Sequence, residues 1–285
     1  GLRVAESLQV VGVSALARPV RFGTREALYA ASASTLYLSG ASDAVSSVLA
    51  KPLPRFLRRN RTHVEHPDRR LPVLLLHGLG HNQSWSYKLQ RRLTDDGFAS
   101  RSVNYHTFSR RLNDCADIVA EHIWEFTGRS AAPAVHVVAH SIGGLVLRAA
   151  INRHPEIQDY VATGITIGSP HRGTPWAYGP GAVVPLVGHL VRELRPGSST
   201  LKQIDNETVA GSTQWVSMYS VSDEIVPMYY GRLEHPALEI QQVEYRGLGH
   251  YGLMYHPAVL GSVLASLADS DTKFAQAWDA NFHAA

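Results

Sequence analysis

Cysteine is all but missing from this chain of 285 residues, where Cys115 stands alone. One thiol cannot close an internal disulfide, so the fold does not depend on an oxidising compartment, and Cys115 reads as a small core residue. An excess of one charge is lacking too. Lys plus Arg number 27 against 24 Asp plus Glu, a formal net charge of +3, which is too little to imply nucleic-acid binding. No stretch approaches the roughly 20 continuous apolar residues of a spanning helix, and Arg3, Glu6 and Arg18 spoil the N-terminus as a secretion signal. Gly1 need not be the first residue translated, so a processed precursor stays open. Repeats and low-complexity tracts are absent. What is there, 45% hydrophobic and 18% charged residues, is the composition of an ordinary globular protein with one large core or two modest ones.

The chain changes character near residue 70. Residues 1–50 are rich in Ala, Ser, Val and Leu; Thr24 can cap a helix over Arg25–Leu38 ended by Gly40, and Ser42 a second one up to Lys51, stopped by Pro52. A basic stretch follows from Arg55 through Arg61 to Arg70. It reads as a solvated linker, with contact to an acidic lipid surface as the sharper alternative. Residues 1–70 are therefore expected to be an N-terminal helical extension and linker, and 71–285 the main domain.

From Leu71 onward, apolar runs of strand length alternate with helical patterns, as in βαβ units. Strands are expected at Pro72–Leu76, Ala99–Tyr105, Ala134–Ala139, Ala162–Ile167, Gln214–Ser220 and Leu238–Tyr245. Helices are expected at Ser84–Asp96, Arg110–Phe126, Ile142–His154 and Pro257–Leu267. Fully apolar runs such as Val73-Leu74-Leu75-Leu76 suit strands covered on both faces. An α/β sandwich with a mostly parallel sheet follows. The longest interruption, Gly173 to about Ser212, is punctuated by Gly and Pro yet carries Trp176, Tyr178, Val183, Val184, Leu186 and Val187. Such a segment reads as a lid or pocket-covering insertion.

The chemistry centres on Val137-Val138-Ala139-His140-Ser141-Ile142-Gly143-Gly144, a serine between an apolar strand and a helix start. A sharp strand-to-helix turn leaves room only for small residues two positions either side of the serine, here Ala139 and Gly143. It exposes the hydroxyl at a helix N-terminus, where developing negative charge is favoured. The motif is A-x-S-x-G, one substitution from G-x-S-x-G. His77-Gly78-Leu79-Gly80 closes an early strand, so the backbone N–H groups of Leu79 and Ile142 can form an oxyanion hole. A Walker-type loop is disfavoured because no Gly-Lys-Ser/Thr follows.

Ser222-Asp223-Glu224 follows a strand. Alternation directs Asp223 toward the serine edge and Glu224 away, so Asp223 is the expected acid. Gly247-Leu248-Gly249-His250-Tyr251-Gly252 puts His250 in a glycine-rich loop behind the last strand. His256 is the competitor, but His256-Pro257 suits a helix start. The order Ser141, Asp223, His250 is that of α/β-hydrolases. In the mechanism this implies, His250 removes the Ser141 proton as it attacks an ester carbonyl, Asp223 orients the imidazole, and water resolves the acyl-enzyme. No metal or organic cofactor is required; His81, His106 and His171 read as surface or packing residues.

With these residues in place, the chain resembles the bacterial α/β-hydrolase lipases and esterases whose elbow reads Ala-His-Ser-x-Gly-Gly. The resemblance runs over about Leu71–Leu267 and includes Gly168-Ser169-Pro170-His171-Arg172-Gly173-Thr174 after the strand that follows the elbow. It implies an α/β-hydrolase three-layer sandwich and a carboxylic ester hydrolase with an ester or acyl-lipid substrate; Trp176 of the apolar insertion and Leu79 are the expected substrate contacts, and peripheral contact with a lipid surface remains the sharper reading of the basic stretch. Smaller family members have no counterpart of residues 1–70 and lack much of 173–212, which leaves substrate size open. Thioesterase and acyltransferase chemistry with the same triad stays open as well. A catalytically silent binding protein is the non-enzymatic alternative, and Ser141 at the elbow argues against dehalogenase or epoxide hydrolase chemistry, which uses aspartate there. The scarcity of cysteine leans toward the cytoplasm and the lipase resemblance toward export; the oligomeric state is left open.

Overall fold

In the computed structural model, residues 7–11, 70–107, 109–130, 132–179 and 188–282 are described. The expected helices at Arg25–Leu38 and up to Lys51, the basic stretch before Arg70, and Val183, Val184, Leu186 and Val187 lie outside them.

The described chain runs β1 (Ser7–Val11), β2 (Val73–Leu76), α1 (Tyr87–Asp95), β3 (Ser100–Val103), α2 (Leu112–Ser130), β4 (Val135–His140), α3 (Ile142–Arg153), β5 (Val161–Ile167), α4 (Gly188–Glu193), α5 (Ser199–Glu207), β6 (Gln214–Ser220), α6 (Met228–Gly231), β7 (Ile240–Tyr245), α7 (His250–Tyr255) and α8 (Pro257–Phe282). The strands form one seven-stranded sheet in the order β1-β7-β6-β5-β4-β2-β3, each pair parallel. The six expected strands are all present within two residues or so of their predicted ends. The seventh, β1, was not expected. It adds to the β7 edge with Ser7 opposite Gln241 and Val11 opposite Tyr245, so the N-terminal segment contributes to the sheet.

Alternation along the buried strands divides the core. Leu74 and Leu76 of β2 pack with Leu112, Ile123, Leu145 and other residues of α2 and α3, while Val73 and Leu75 pack on the opposite face with Leu89 and Leu93 of α1 and Val259, Val263 and Leu267 of α8. Both faces are thus covered, which explains why the strands read as unbroken apolar runs. The free thiol of Cys115 is buried in the first of these layers, and that burial pushes it up to about 12.

Two features of the helices go beyond the sequence reading. First, the segment after Gly173, read as a lid or pocket-covering insertion, contains regular structure: a 3₁₀ turn at Pro175–Tyr178, α4 and α5 lie within it. Ser198 caps α5 by accepting from the Leu201 N–H at 3.3 Å, and Leu201 and Ile204 are buried. Arg148 of α3 donates to Asp205 at 2.7 Å and to Thr208 at 3.1 Å, and Asn152 donates to the Ile204 carbonyl at 2.7 Å. These bonds dock the segment on α3. Second, α8 runs 15 residues past its expected end at Leu267, held at its far half by Asp271, which accepts from the Leu71 N–H and pairs with His136, each at 3.0 Å.

Strand order makes the site's position a consequence of topology. The chain leaves β2 outward to the edge strand β3 and then returns to place β4 on the other side of β2. In an open parallel sheet the crevice beyond the C-terminal ends of such a diverging pair is where ligands bind. Here those ends carry His77-Gly78-Leu79 and His140-Ser141.

Candidate active site

Ser141 sits between β4 and α3 with φ 55° and ψ −129°, the single non-glycine residue with positive φ among the described residues. That conformation costs roughly 1–3 kcal/mol unless its surroundings hold it. They do so at two points: the Ser141 N–H donates to the Ile167 carbonyl at 2.9 Å, and its carbonyl accepts from the Gly144 N–H at 3.1 Å. The small residues of the elbow have the steric reason read from the sequence. A Cβ at Gly143 would lie 3.0 Å from the Leu76 carbonyl oxygen and 3.1 Å from that of His77, and Ala139 is fully buried.

The Ser141 Oγ lies 3.1 Å from Nε2 of His250. Nδ1 of that ring is 2.8 Å from Oδ2 of Asp223. The other carboxylate oxygen of Asp223 accepts the N–H groups of Ile225 at 2.9 Å and Val226 at 2.7 Å, so the carboxylate is held by the turn in which it stands. All three residues are at least nine-tenths buried. Serine side chains join the acid turn to the histidine segment: Ser220 donates to the Leu248 carbonyl at 2.6 Å, and Ser222 Oγ accepts the Gly247 N–H at 3.1 Å. Gly168, with φ 58°, closes the arrangement from the end of β5. A Cβ there would lie 3.3 Å from Oδ2 of Asp223 and 3.4 Å from Cε1 of His250.

His250 is not in an open loop, as expected, but is the first residue of α7, with Gly249 as its cap. Glu224 does not simply point away. It is exposed, yet its Oε2 accepts the backbone N–H of His250 at 3.3 Å. His256 belongs to the start of α8, where its Nδ1 accepts the Ala258 N–H at 3.2 Å.

The loop after β2 is ordered from behind by His77. Its Nδ1 donates to the Gly78 carbonyl at 2.9 Å, its Nε2 accepts the Tyr105 N–H at 3.3 Å, and the Tyr105 hydroxyl donates to the His77 carbonyl at 2.5 Å. The two rings stack at 4.1 Å. Burial lowers His77 to about 4, so it is neutral. The Gly80 N–H donates to Thr107 at 3.0 Å. Gly78 lies so near the elbow that a Cβ on it would be 3.0 Å from the Cβ of Ser141. Leu79 and Ile142 both border the cavity in front of Ser141. As the first residue of a helix, Ile142 has an N–H without an acceptor inside that helix.

The cavity has a volume of about 70 Å³, and Trp176, Leu194, Ile225 and Val226 give it an apolar wall. Trp176 and Leu79, the two residues named as substrate contacts, both line it. His81 and His140 were not anticipated here. His81, read from the sequence as a surface or packing residue, lines the cavity and is lowered to about 4 by burial and by neighbouring His77 and His250. His140 is fully buried, with its ring 5.7 Å from that of Trp85 and 4.9 Å from that of His250. Neither belongs to a periodic pattern, and only its adjacency to Ser141 pointed to His140. His171 is buried against Thr166.

A family model described as palmitoyl protein thioesterase matches residues 72–220. No curated protein matches the chain in sequence. Among solved structures, the mature lipase BlEst2 of Bacillus licheniformis is similar with a TM-score of 0.61 at 19% identity, covering 72% of this chain and 95% of that one. Lipase B of Aspergillus fumigatus gives 0.59 at 17% identity over 71% of this chain and 53% of its own. A monoacylglycerol lipase of Paleococcus ferrophilus gives 0.53 at 15% identity over 71% and 96%. At such identities the likeness carries the fold, which is that of the α/β-hydrolases.

Proposed function

The chain belongs to the palmitoyl protein thioesterase family and is a hydrolase of the α/β-hydrolase fold, and from that premise we propose that Ser141 is the nucleophile with which it cleaves carboxylic esters. The observation that carries this reading is the contact series from Ser141 Oγ through His250 to Asp223, at 3.1 and 2.8 Å, with the serine strained into its turn. His250 takes the Ser141 proton through Nε2 as Oγ attacks the carbonyl, then gives it to the leaving alcohol. Asp223 holds Nδ1 protonated and stabilises the imidazolium. Negative charge on the carbonyl oxygen is met by the N–H groups of Leu79 and Ile142. Water, deprotonated by the same histidine, releases the acid.

The apolar wall of Trp176 and Leu194 suits an acyl chain. The lipase names of the structural relatives favour oxygen esters of lipid-like acids, and exposed Tyr178 and Tyr229, each under an arginine at 5.2 and 4.9 Å, support peripheral contact with a lipid surface. The family name favours thioesters, which the same residues would cleave. Among the described residues no helix is long and apolar enough to cross a membrane. We expect hydrolysis of p-nitrophenyl esters of short to medium acids and its loss, by at least about 10³-fold, in Ser141→Ala. Turnover surviving that substitution sinks the assignment, and matched ester and thioester substrates of one acid, run below and above their solubility, separate lipase, esterase and thioesterase.

A further inference from the structure

The stereochemistry of acyl transfer divides the cavity in front of Ser141. The carbonyl oxygen must turn to the Leu79 and Ile142 N–H groups, and the leaving group must lie within reach of Nε2 of His250, which protonates it. The acyl chain is left with the apolar side formed by Trp176, Leu194 and Val226. The walls adjoining His250 therefore border the leaving group, and they are His81, Tyr251 and the fully buried His140. The Tyr251 ring stands edge-on to His250 at 6.0 Å and to His81 at 6.1 Å.

His81 is held where such a group would pass. Its N–H closes a turn on the Gly78 carbonyl at 3.3 Å, beside the elbow, and its ring lines the cavity. Its Nδ1 is buried with no hydrogen-bond partner among the described residues. The fold thus leaves hydrogen-bonding capacity of the His81 ring unused. The ring is uncharged at neutral pH, and none of the described residues lining the cavity is Lys, Arg, Asp or Glu. A charged leaving group would find no counter-ion there.

We propose that His81 and Tyr251 bound a leaving-group subsite in which the His81 imidazole hydrogen-bonds a second, uncharged hydroxyl of the alcohol, fitting the enzyme to monoesters of polyols. This rests on Ser141 being the nucleophile. A hydrophobic pocket alone discriminates weakly against an added hydroxyl, whereas a pocket holding a polar partner for it favours the hydroxylated substrate.

The test compares 2-hydroxyethyl butyrate with propyl butyrate, which differ by a hydroxyl in place of a methyl at equal length. In the wild-type protein kcat/KM for the hydroxyethyl ester exceeds that for the propyl ester by about tenfold, the scale of one neutral hydrogen bond. In His81→Phe and His81→Leu the ratio falls to about one, and in His81→Asn, which keeps donor and acceptor, part of it returns. A wild-type ratio near one overturns the proposal, as does a ratio that survives in whichever apolar variant folds. Failure of the underlying reading looks different: it is turnover of p-nitrophenyl butyrate that persists in Ser141→Ala.

Discussion

Two adjacent carboxylates, Asp223 and Glu224, reach the same histidine from different ends. Asp223 faces Nδ1 of the His250 ring at 2.8 Å, while Glu224 takes the backbone N–H of His250 at 3.3 Å. In the proposed mechanism the first contact sets the tautomer and meets the charge that develops on the ring; the second lies at the start of α7. Asp223→Asn would present an amide to Nδ1 and favour the wrong tautomer, a change that costs on the order of 10⁴ in kcat in a Ser-His-Asp site. Glu224→Gln keeps an oxygen acceptor for the N–H, and we expect a loss below about tenfold. Steady-state kinetics on one p-nitrophenyl ester decide it, and the assignment of roles is wrong if Glu224→Gln is the dead variant. The sequence separated these two residues by strand alternation, yet β6 ends at Ser220, so it is the turn, fixed by the Ile225 and Val226 N–H groups, that aims Asp223. The elbow was legible because its steric demand fixes residue types at fixed spacing. His81 was not, because a lone histidine after a turn carries no pattern, and its neighbours Tyr251 and His140 come from distant parts of the chain.

Among the elements, the buried strands were legible and the ends of helices were not, for a physical reason that α8 illustrates. Beyond Ala268 the sequence turns to Asp269-Ser270-Asp271-Thr272, residues of modest or poor helix propensity, and the helix looks finished. It continues because tertiary contacts hold it: Asp271 accepts from Leu71 and pairs with His136, Ser270 bonds Thr163, and Lys273 pairs with Asp269 at 2.8 Å one turn back. The helices after Gly173 were hidden by the Gly and Pro around them, and β1 by its partner, which lies more than 200 residues away at Ile240–Tyr245. Removing the acceptor in Asp271→Ala leaves the His136 ring and the Leu71 N–H without it in a largely buried place, and we expect a loss of about 2–4 kcal/mol in urea unfolding. Asp271→Asn, which keeps one oxygen, loses less. The contact lies at the N-terminal ends of β2 and β4, across the sheet from Ser141, so the folded fraction of either variant keeps its kcat; a wild-type unfolding midpoint in Asp271→Ala would mean that α8 is held by its apolar face alone.

For the whole molecule, the histidines set how stability responds to acid. His77, His140 and His171 are fully buried, and burial is the first cause that lowers each below 6.5, His77 to about 4 and the other two well below their ordinary value. The folded protein holds these rings neutral, whereas the unfolded chain protonates them near 6.5. Below that pH the unfolded state therefore binds more protons, and each group withdraws about 1.4 kcal/mol per pH unit until its own folded value is reached. The contribution is fully present above 6.5 and is lost as pH falls through about 4 for His77, and further down for the other two. The three rings hold different parts of the fold, the loop after β2, the elbow and the turn after β5, so acid acts on all the walls of the site together. Urea unfolding at pH 7, 6, 5 and 4.5 should show stability dropping steeply below 6.5. His171→Asn, one titrating ring fewer, should show a slope shallower by about one proton whatever its stability at pH 7. A slope equal to that of the wild type would mean that His171 accepts its proton in the folded state, against its burial beside Thr166.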